Sequence, residues 1–292
     1  MSIDKLQEKI RKMKNPSMVD FSADIKEIPQ HILDEEHSEI LSYERYSREL
    51  LEGLKGVVPA VRLNMGRFSL LGPDGLFLLS RISRYAKELD YYILLDAPES
   101  LDPMTAELTV SRLFSDRCLY AFDGLVVSAY AGSDVLKPFA KVLKNSTKDL
   151  FVVLRTANKS AAELQDLLTG SRLVHMAAAE IVYRLCEPLV GRSGYSQVAA
   201  IGPASVADVL KKLRARYKSL FLLVDGYDYP NANAKNCSYA FDKLGHGAIV
   251  CADRSITAAW QAEQTDGVDY VKQAVQAAER MKKNLLRYIT VL

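Results

Sequence analysis

Short apolar runs recur along this chain, spaced so that a helix fits between most of them. They are Met18–Phe21, Pro59–Leu63, Tyr92–Leu95, Leu125–Ser128, Leu150–Leu154, Val198–Ile201, Leu220–Val224 and Ala248–Cys251. Each has strand length, and most are too apolar for a sheet with one wet face. That is the pattern of parallel strands covered by helices. Stretches such as Asp74–Lys87, Pro103–Phe114, Ala161–Leu185 and Val206–Tyr217 are the predicted helices between them. Pro103 suits a first helical position with Asp102 as its N-cap, and Ser133-Asp134 precedes a helix over Val135–Leu143 in the same fashion. Eight strands alternating with helices predict one α/β domain over residues 1–292, a single (β/α)8 TIM barrel with an N-terminal helix. An open, doubly wound sheet is the runner-up, because periodicity alone does not show closure. No Gly/Ser/Pro linker, repeat or low-complexity stretch divides the chain.

Composition changes this picture little. The 292 residues suffice for a full core, with 49% hydrophobic and 25% charged side chains. The 38 basic and 36 acidic residues leave a net charge of +2, which gives no reason to expect nucleic acid or an acidic membrane as partner. The amphipathic, charged start is unlike a secretory signal, and no apolar run approaches the ~18 residues of a membrane span. Cys118, Cys186, Cys237 and Cys251 are scattered without metal-ligand or CxxC spacing, and read as reduced structural thiols of a cytoplasmic protein. His31, His37, His175 and His246 show no HxH or HExxH spacing. Neither a metal nor a cofactor is expected.

The chemistry-bearing segment is Tyr91-Tyr-Ile-Leu-Leu-Asp-Ala-Pro-Glu-Ser-Leu-Asp102. It reads as a buried strand ending in Asp96, at the end of the barrel where catalytic residues gather. The ordered motifs around it span nearly the whole chain: Asn15-Pro-Ser-Met-Val19 with Ile28-Pro29, Val58-Pro-Ala-Val61, Gly72-Pro-Asp-Gly75, Tyr130-Ala-Gly-Ser-Asp134 with Pro138-Phe139, Thr156-Ala-Asn158 with Glu163-Leu-Gln-Asp-Leu167, Gly194-Tyr-Ser196, and Gly247-Ala-Ile-Val250 with Arg254-Ser-Ile256. Each is weak alone; in this order and spacing they resemble the longer bacterial branch of the orotidine 5'-phosphate decarboxylase family.

The family's strand-three pattern is Asp-x-Lys-x-x-Asp. Its lysine protonates the carbanion left by departing carbon dioxide, and the first aspartate pushes against the substrate carboxylate. A strand-two lysine organises the charges, and the last aspartate reaches the neighbouring subunit's site in a dimer. Carried onto this chain, the resemblance implies Asp96 for the first aspartate, Pro98 for the proton donor, Leu101 for the last aspartate and Arg62 for the strand-two lysine. It puts Ser22 where a strand-one aspartate holds the ribose, and Ala157 where a serine reads the pyrimidine edge. The phosphate loop Gly-x-Gly-Ala-Gln-Gly-Gly becomes Gly226-Tyr-Asp-Tyr-Pro-Asn-Ala232. That loop has lost the glutamine and most glycines and gained Asp228, whose charge repels a phosphate. Arg254 keeps the family's phosphate-binding position, and Asn64 and Asn158 join the expected pocket lining.

Proline has no side-chain proton to donate and no backbone N–H. Arginine stays protonated at ordinary pH, so Arg62 does not replace the lost lysine. Asp96 and Arg62 therefore read as remnants of the family site, a structural pair rather than an active dyad. Arg254 binds an anion, or else forms an ion pair with Asp253 or another loop carboxylate. Asp102 reads as a helix cap and Glu99 as a solvated loop charge, although with Asp96 they would be the acids of a different enzyme. Tyr227 and Tyr229 either wall the pocket for another ligand or fill it; filling needs no extra assumption. His246 and Trp260 read as structural. The leading expectation is a catalytically degenerate homologue that binds or assembles, with at most a residual phosphate or anion site for a phosphorylated small molecule or nucleotide, and a homodimer by resemblance. The alternatives are a divergent decarboxylase forming UMP in pyrimidine biosynthesis, and a lyase or hydrolase on another phosphorylated substrate.

Overall fold

The computed structural model describes residues 1–21, 24–97 and 100–292. Eight parallel strands close into a barrel: β1 (Ser17–Phe21), β2 (Ala60–Asn64), β3 (Tyr92–Asp96), β4 (Gly124–Ser128), β5 (Asp149–Val153), β6 (Val198–Pro203), β7 (Leu222–Asp225) and β8 (Ala248–Ala252). Each pairs with its sequence neighbours, and β8 pairs with β1 at Ser17–Val250 to complete the ring. The open-sheet alternative is thereby excluded. Burial on both faces explains the near-continuous apolar runs: helices cover the outside, and side chains fill the inside.

The lower interior is aromatic. Tyr92, Phe151, Phe221 and Tyr195 contact one another edge to face, with ring centroids 5.9–6.4 Å apart. Gly124 makes room for them, since a Cβ there would fall 2.7 Å from the Tyr92 hydroxyl and 2.9 Å from the Phe151 ring. The predicted N-terminal helix is Ser2–Met13, which buries Ile3, Leu6 and Ile10. Those side chains contribute about 1.5–3 kcal/mol each by leaving water. Gln7 accepts the Gly247 N–H at 2.9 Å and Asp4 the Ser193 N–H at 2.8 Å, which ties this helix to the segments before β8 and β6.

Asp102 caps the helix Pro103–Leu113, accepting the Thr105 N–H at 2.9 Å and the Thr105 hydroxyl at 2.6 Å. The other expected cap is corrected. The helix after β4 is Ser133–Leu143, its N-cap is Gly132 at φ 101°, and no side chain caps it. The predicted helix Ala161–Leu185 is also three pieces: a 3-10 turn (Lys159–Glu163), a two-residue hairpin (Leu168–Thr169 with Arg172–Leu173) and a helix (Val174–Cys186). The cause is local. Buried Arg155 holds Asp166 through Nε at 3.2 Å and a terminal nitrogen at 2.9 Å, and His175 Nδ1 lies 3.1 Å from the same carboxylate. These contacts fold the segment back, and Gly170 turns it at φ 63°.

His246 Nε2 lies 3.0 Å from the Leu292 carbonyl, and Trp260 Nε1 donates to the Glu27 carbonyl at 3.0 Å. The four cysteines are free thiols. Burial pushes Cys186 and Cys237 up to about 12, so both stay protonated and inert. Among the described residues, no helix is long and apolar enough to cross a membrane.

Candidate functional site

The upper interior is charged, and the strand register shows why. Asp20 on β1 lies level with Arg62 on β2, and Asn64 lies level with Asp96 on β3. Successive strand residues alternate in direction, so Arg62 and Asn64 share the inner face while Val61 and Leu63 pack outward against helices. β7 contributes Asp225, its last residue.

Three carboxylates meet one guanidinium here. Arg62 bonds Asp96 through one terminal nitrogen, and its other lies 3.2 Å from Asp225 and 3.7 Å from Asp20. Asn64 donates a hydrogen bond from Nδ2 to Asp96 at 3.3 Å, while its oxygen caps the next helix by accepting the Arg67 N–H. The Arg62 side chain is 11% exposed. Burial alone would ease its proton off, but Asp225, Asp20 and Asp96 overcome that and hold the cation well above its ordinary range. Arg62 is a permanent internal counter-ion.

Above this cluster opens a pocket of about 540 Å³, walled by Tyr227 and Tyr229 and carrying Asp228, Asp253, Arg67 and Arg254 at its rim. Each of its arginines already has a carboxylate. Arg254 Nε lies 2.7 Å from Oε1 of buried Glu27, and Arg67 lies 3.4 Å from Asp253. Asp228 accepts the backbone N–H groups of Asp253 at 2.9 Å and Ser255 at 3.0 Å, together with the Ser255 hydroxyl. Burial pushes the Asp253 carboxyl up to about 6; Arg67 pulls it back, and Glu27 and Asp228 push it up again. The Glu27 carboxyl is likewise raised by burial, against the pull of Arg254 and Arg67.

No family model matches the chain. Curated proteins do match it at length. The orotidine 5'-phosphate decarboxylase of Rhodopirellula baltica is 28% identical over 82% of this chain and 84% of its own. That of Caldicellulosiruptor saccharolyticus is 25% identical over 97% of both. The chain is a homologue of the orotidine 5'-phosphate decarboxylases. The fold agrees: the crystal structure of Plasmodium berghei orotidine 5'-monophosphate decarboxylase matches with a TM-score of 0.81 at 13% identity over 99% of both chains.

In this decarboxylase homologue the expected residues do not all fall together. Arg62, Asp96, Asn64, Tyr227, Asp228 and Arg254 gather at the barrel mouth. Asn158 does not join them; it is exposed on the loop after β5, bonded to Thr156 and Ser160. Leu101 is 73% exposed. Ser22, Pro98 and Glu99 lie outside the described residues. Ala157 lies beneath the β7 loop: Gly226, at φ 76°, leaves no space for a side chain between it and Tyr229. Of the two arrangements open to the tyrosines, walling and filling, the structure shows the first: both line an open pocket, and Tyr229 remains 48% exposed. The partner expected for Arg254 among Asp253 and other loop carboxylates is Glu27. Asp20 and Asp225 went unread. Each is a lone aspartate in or ending an apolar run, the signal that marked Asp96.

Proposed function

We propose that this chain is a catalytically degenerate homologue of orotidine 5'-phosphate decarboxylase that works as a non-catalytic binding or assembly protein in the cytoplasm. The observation that supports it best is the charge pairing of the mouth. Arg62, Arg67 and Arg254 each have a carboxylate of the chain itself as partner, so a substrate phosphate must compete with internal anions. Arg62, in the place the resemblance gives to a lysine, is pinned by three carboxylates and stays protonated. The sequence puts proline at position 98, where the resemblance calls for the proton donor. Proton transfer by a placed group is worth about 10²–10⁴ in rate, and proline supplies none of it.

The test is direct. Purified protein should form no UMP from orotidine 5'-monophosphate above background, and its gene should not rescue a decarboxylase-deficient, uracil-requiring strain. Growth without uracil overturns the proposal in favour of a divergent decarboxylase. Pro98→Lys with Leu101→Asp should not restore activity, because Asp20, Asp225 and Asp228 still occupy the cations and the backbone donors.

The homodimer belongs to the same proposal. Leu101, Met104 and Leu108 are 73%, 72% and 61% exposed; Met104 and Leu108 lie four apart on the helix after β3, and Leu101 immediately precedes its N-cap Asp102. An apolar stripe of this kind suits the partner-facing side implied by the family resemblance. Sedimentation of the wild type as a dimer, and of Met104→Glu as a monomer, is the expected result.

A further inference from the structure

The geometry points to a second ligand site on the flank of the barrel, outside the mouth, suited to a small aryl phosphate. It is a pocket of about 510 Å³ between the segment 232–235 and the end of the C-terminal helix Tyr270–Leu286. That volume lies within the range of about 300–1,000 Å³ typical of small-molecule sites. Lys235, Arg287, Asn233, Asn284, Tyr227 and Tyr288 supply its chemistry.

Its charge is opposite in character to that of the mouth. No carboxylate lines it, and among the described residues neither Lys235 nor Arg287 has an acidic partner. The mouth differs in this respect, since Arg62, Arg67 and Arg254 there each have a carboxylate partner. Two uncompensated cations facing one cavity favour an oxyanion, and the arginine fork matches phosphate geometry.

The aromatic half follows from Tyr227 and Tyr288. Tyr288 keeps 54% of its surface exposed, leaving its ring free to take a planar group. Tyr227 is fixed through its backbone, whose N–H donates to the Cys251 carbonyl at 3.2 Å, and Asn284 lines the pocket beside it. Tyr227 also lines the mouth, so it is a wall common to both pockets. This site is independent of the decarboxylase question, because none of its cations belongs to the mouth.

The experiment is calorimetric titration of the full chain with phenyl phosphate, inorganic phosphate and phenol. Phenyl phosphate should bind tighter than either fragment, and the double variant Lys235→Ala/Arg287→Ala should weaken it by at least about tenfold, the scale expected from losing two charge-assisted contacts. Both side chains are exposed, so the variant should fold; the milder Lys235→Gln/Arg287→Gln gives the same readout. Tyr288→Leu should remove the preference for the aryl ester over inorganic phosphate. Binding unchanged in the double variant, no tighter for phenyl phosphate than for phosphate, or abolished by Arg254→Ala instead, overturns the proposal.

Discussion

The carboxylate of Asp228, on the loop after β7, accepts the backbone N–H of Ser255, just beyond β8, at 3.0 Å and takes the Ser255 hydroxyl as well. With the Asp253 N–H also bound, one exposed carboxylate satisfies three donors and fastens two adjacent loops. Asp228→Ala leaves those donors to water and should cost about 1 kcal/mol, near the net value of a typical hydrogen bond. Urea denaturation of the two proteins measures it. Asp228→Asn, which keeps an acceptor oxygen, should lose less.

Removing Arg62 should be far more damaging. In Arg62→Met, the Asp96, Asp225 and Asp20 carboxylates remain without their shared cation. Breaking a buried ion pair from one side typically costs about 3–5 kcal/mol. The loss should shrink as the pH falls toward the carboxylate range, where protonation relieves the repulsion. A pH series of denaturation midpoints would show this, and a pH-independent loss would contradict it.

Asp253 should leave a mark on stability between about pH 4 and pH 6. Its folded value, about 6, lies above the ordinary 3.8, so the folded state holds the proton more tightly than the unfolded chain. The associated stabilisation is full below the unfolded value and is lost as pH rises through the folded one. A shift of this size corresponds to at most about 3 kcal/mol. Asp253→Asn should flatten that part of the wild-type pH profile and be the more stable protein, relative to wild type, at pH 7 than at pH 4.

Asp149, on the floor of the barrel, follows the same sign. It is fully buried, accepts the Tyr92 hydroxyl at 2.8 Å, and burial holds its carboxyl well above the usual range. Asp149→Asn keeps an acceptor for Tyr92 and removes the burden of ionisation. It should match the wild type in mild acid and exceed it increasingly as pH rises.

The strands were legible because burial on both faces leaves few polar interruptions, and the periodicity of Val, Ile and Leu survives any register. Asp96 stood out because it ends such a run. Asp20 and Asp225 carry the same signal, but the family pattern drew attention to Ser22 and to the loop after Asp225. The segment 161–185 misled for another reason. Its alanines and leucines have helical spacing, and the tertiary grip of Arg155 and His175 on Asp166, with the turn at Gly170, folds it back. Arg254 was placed at the mouth, but its partner Glu27 is 227 positions away in the chain and shares no local pattern with it. Ion pairing between distant loops depends on closure of the barrel, which periodicity does not encode.

The ring of acids around Arg62 also constrains how this sequence can change. Lysine at position 62 would bring a single ammonium to a place where a forked guanidinium reaches three strands at once. The charge would be the same, but an ammonium would not span all three carboxylates, and replacing Asp20 or Asp225 first would weaken the clasp on Arg62. Exchanging Arg62 for lysine, or removing either aspartate, should therefore each lower stability when made alone. The arrangement ties position 62 to acids on three different strands, so that neither the cation nor its acids can be exchanged alone without loss.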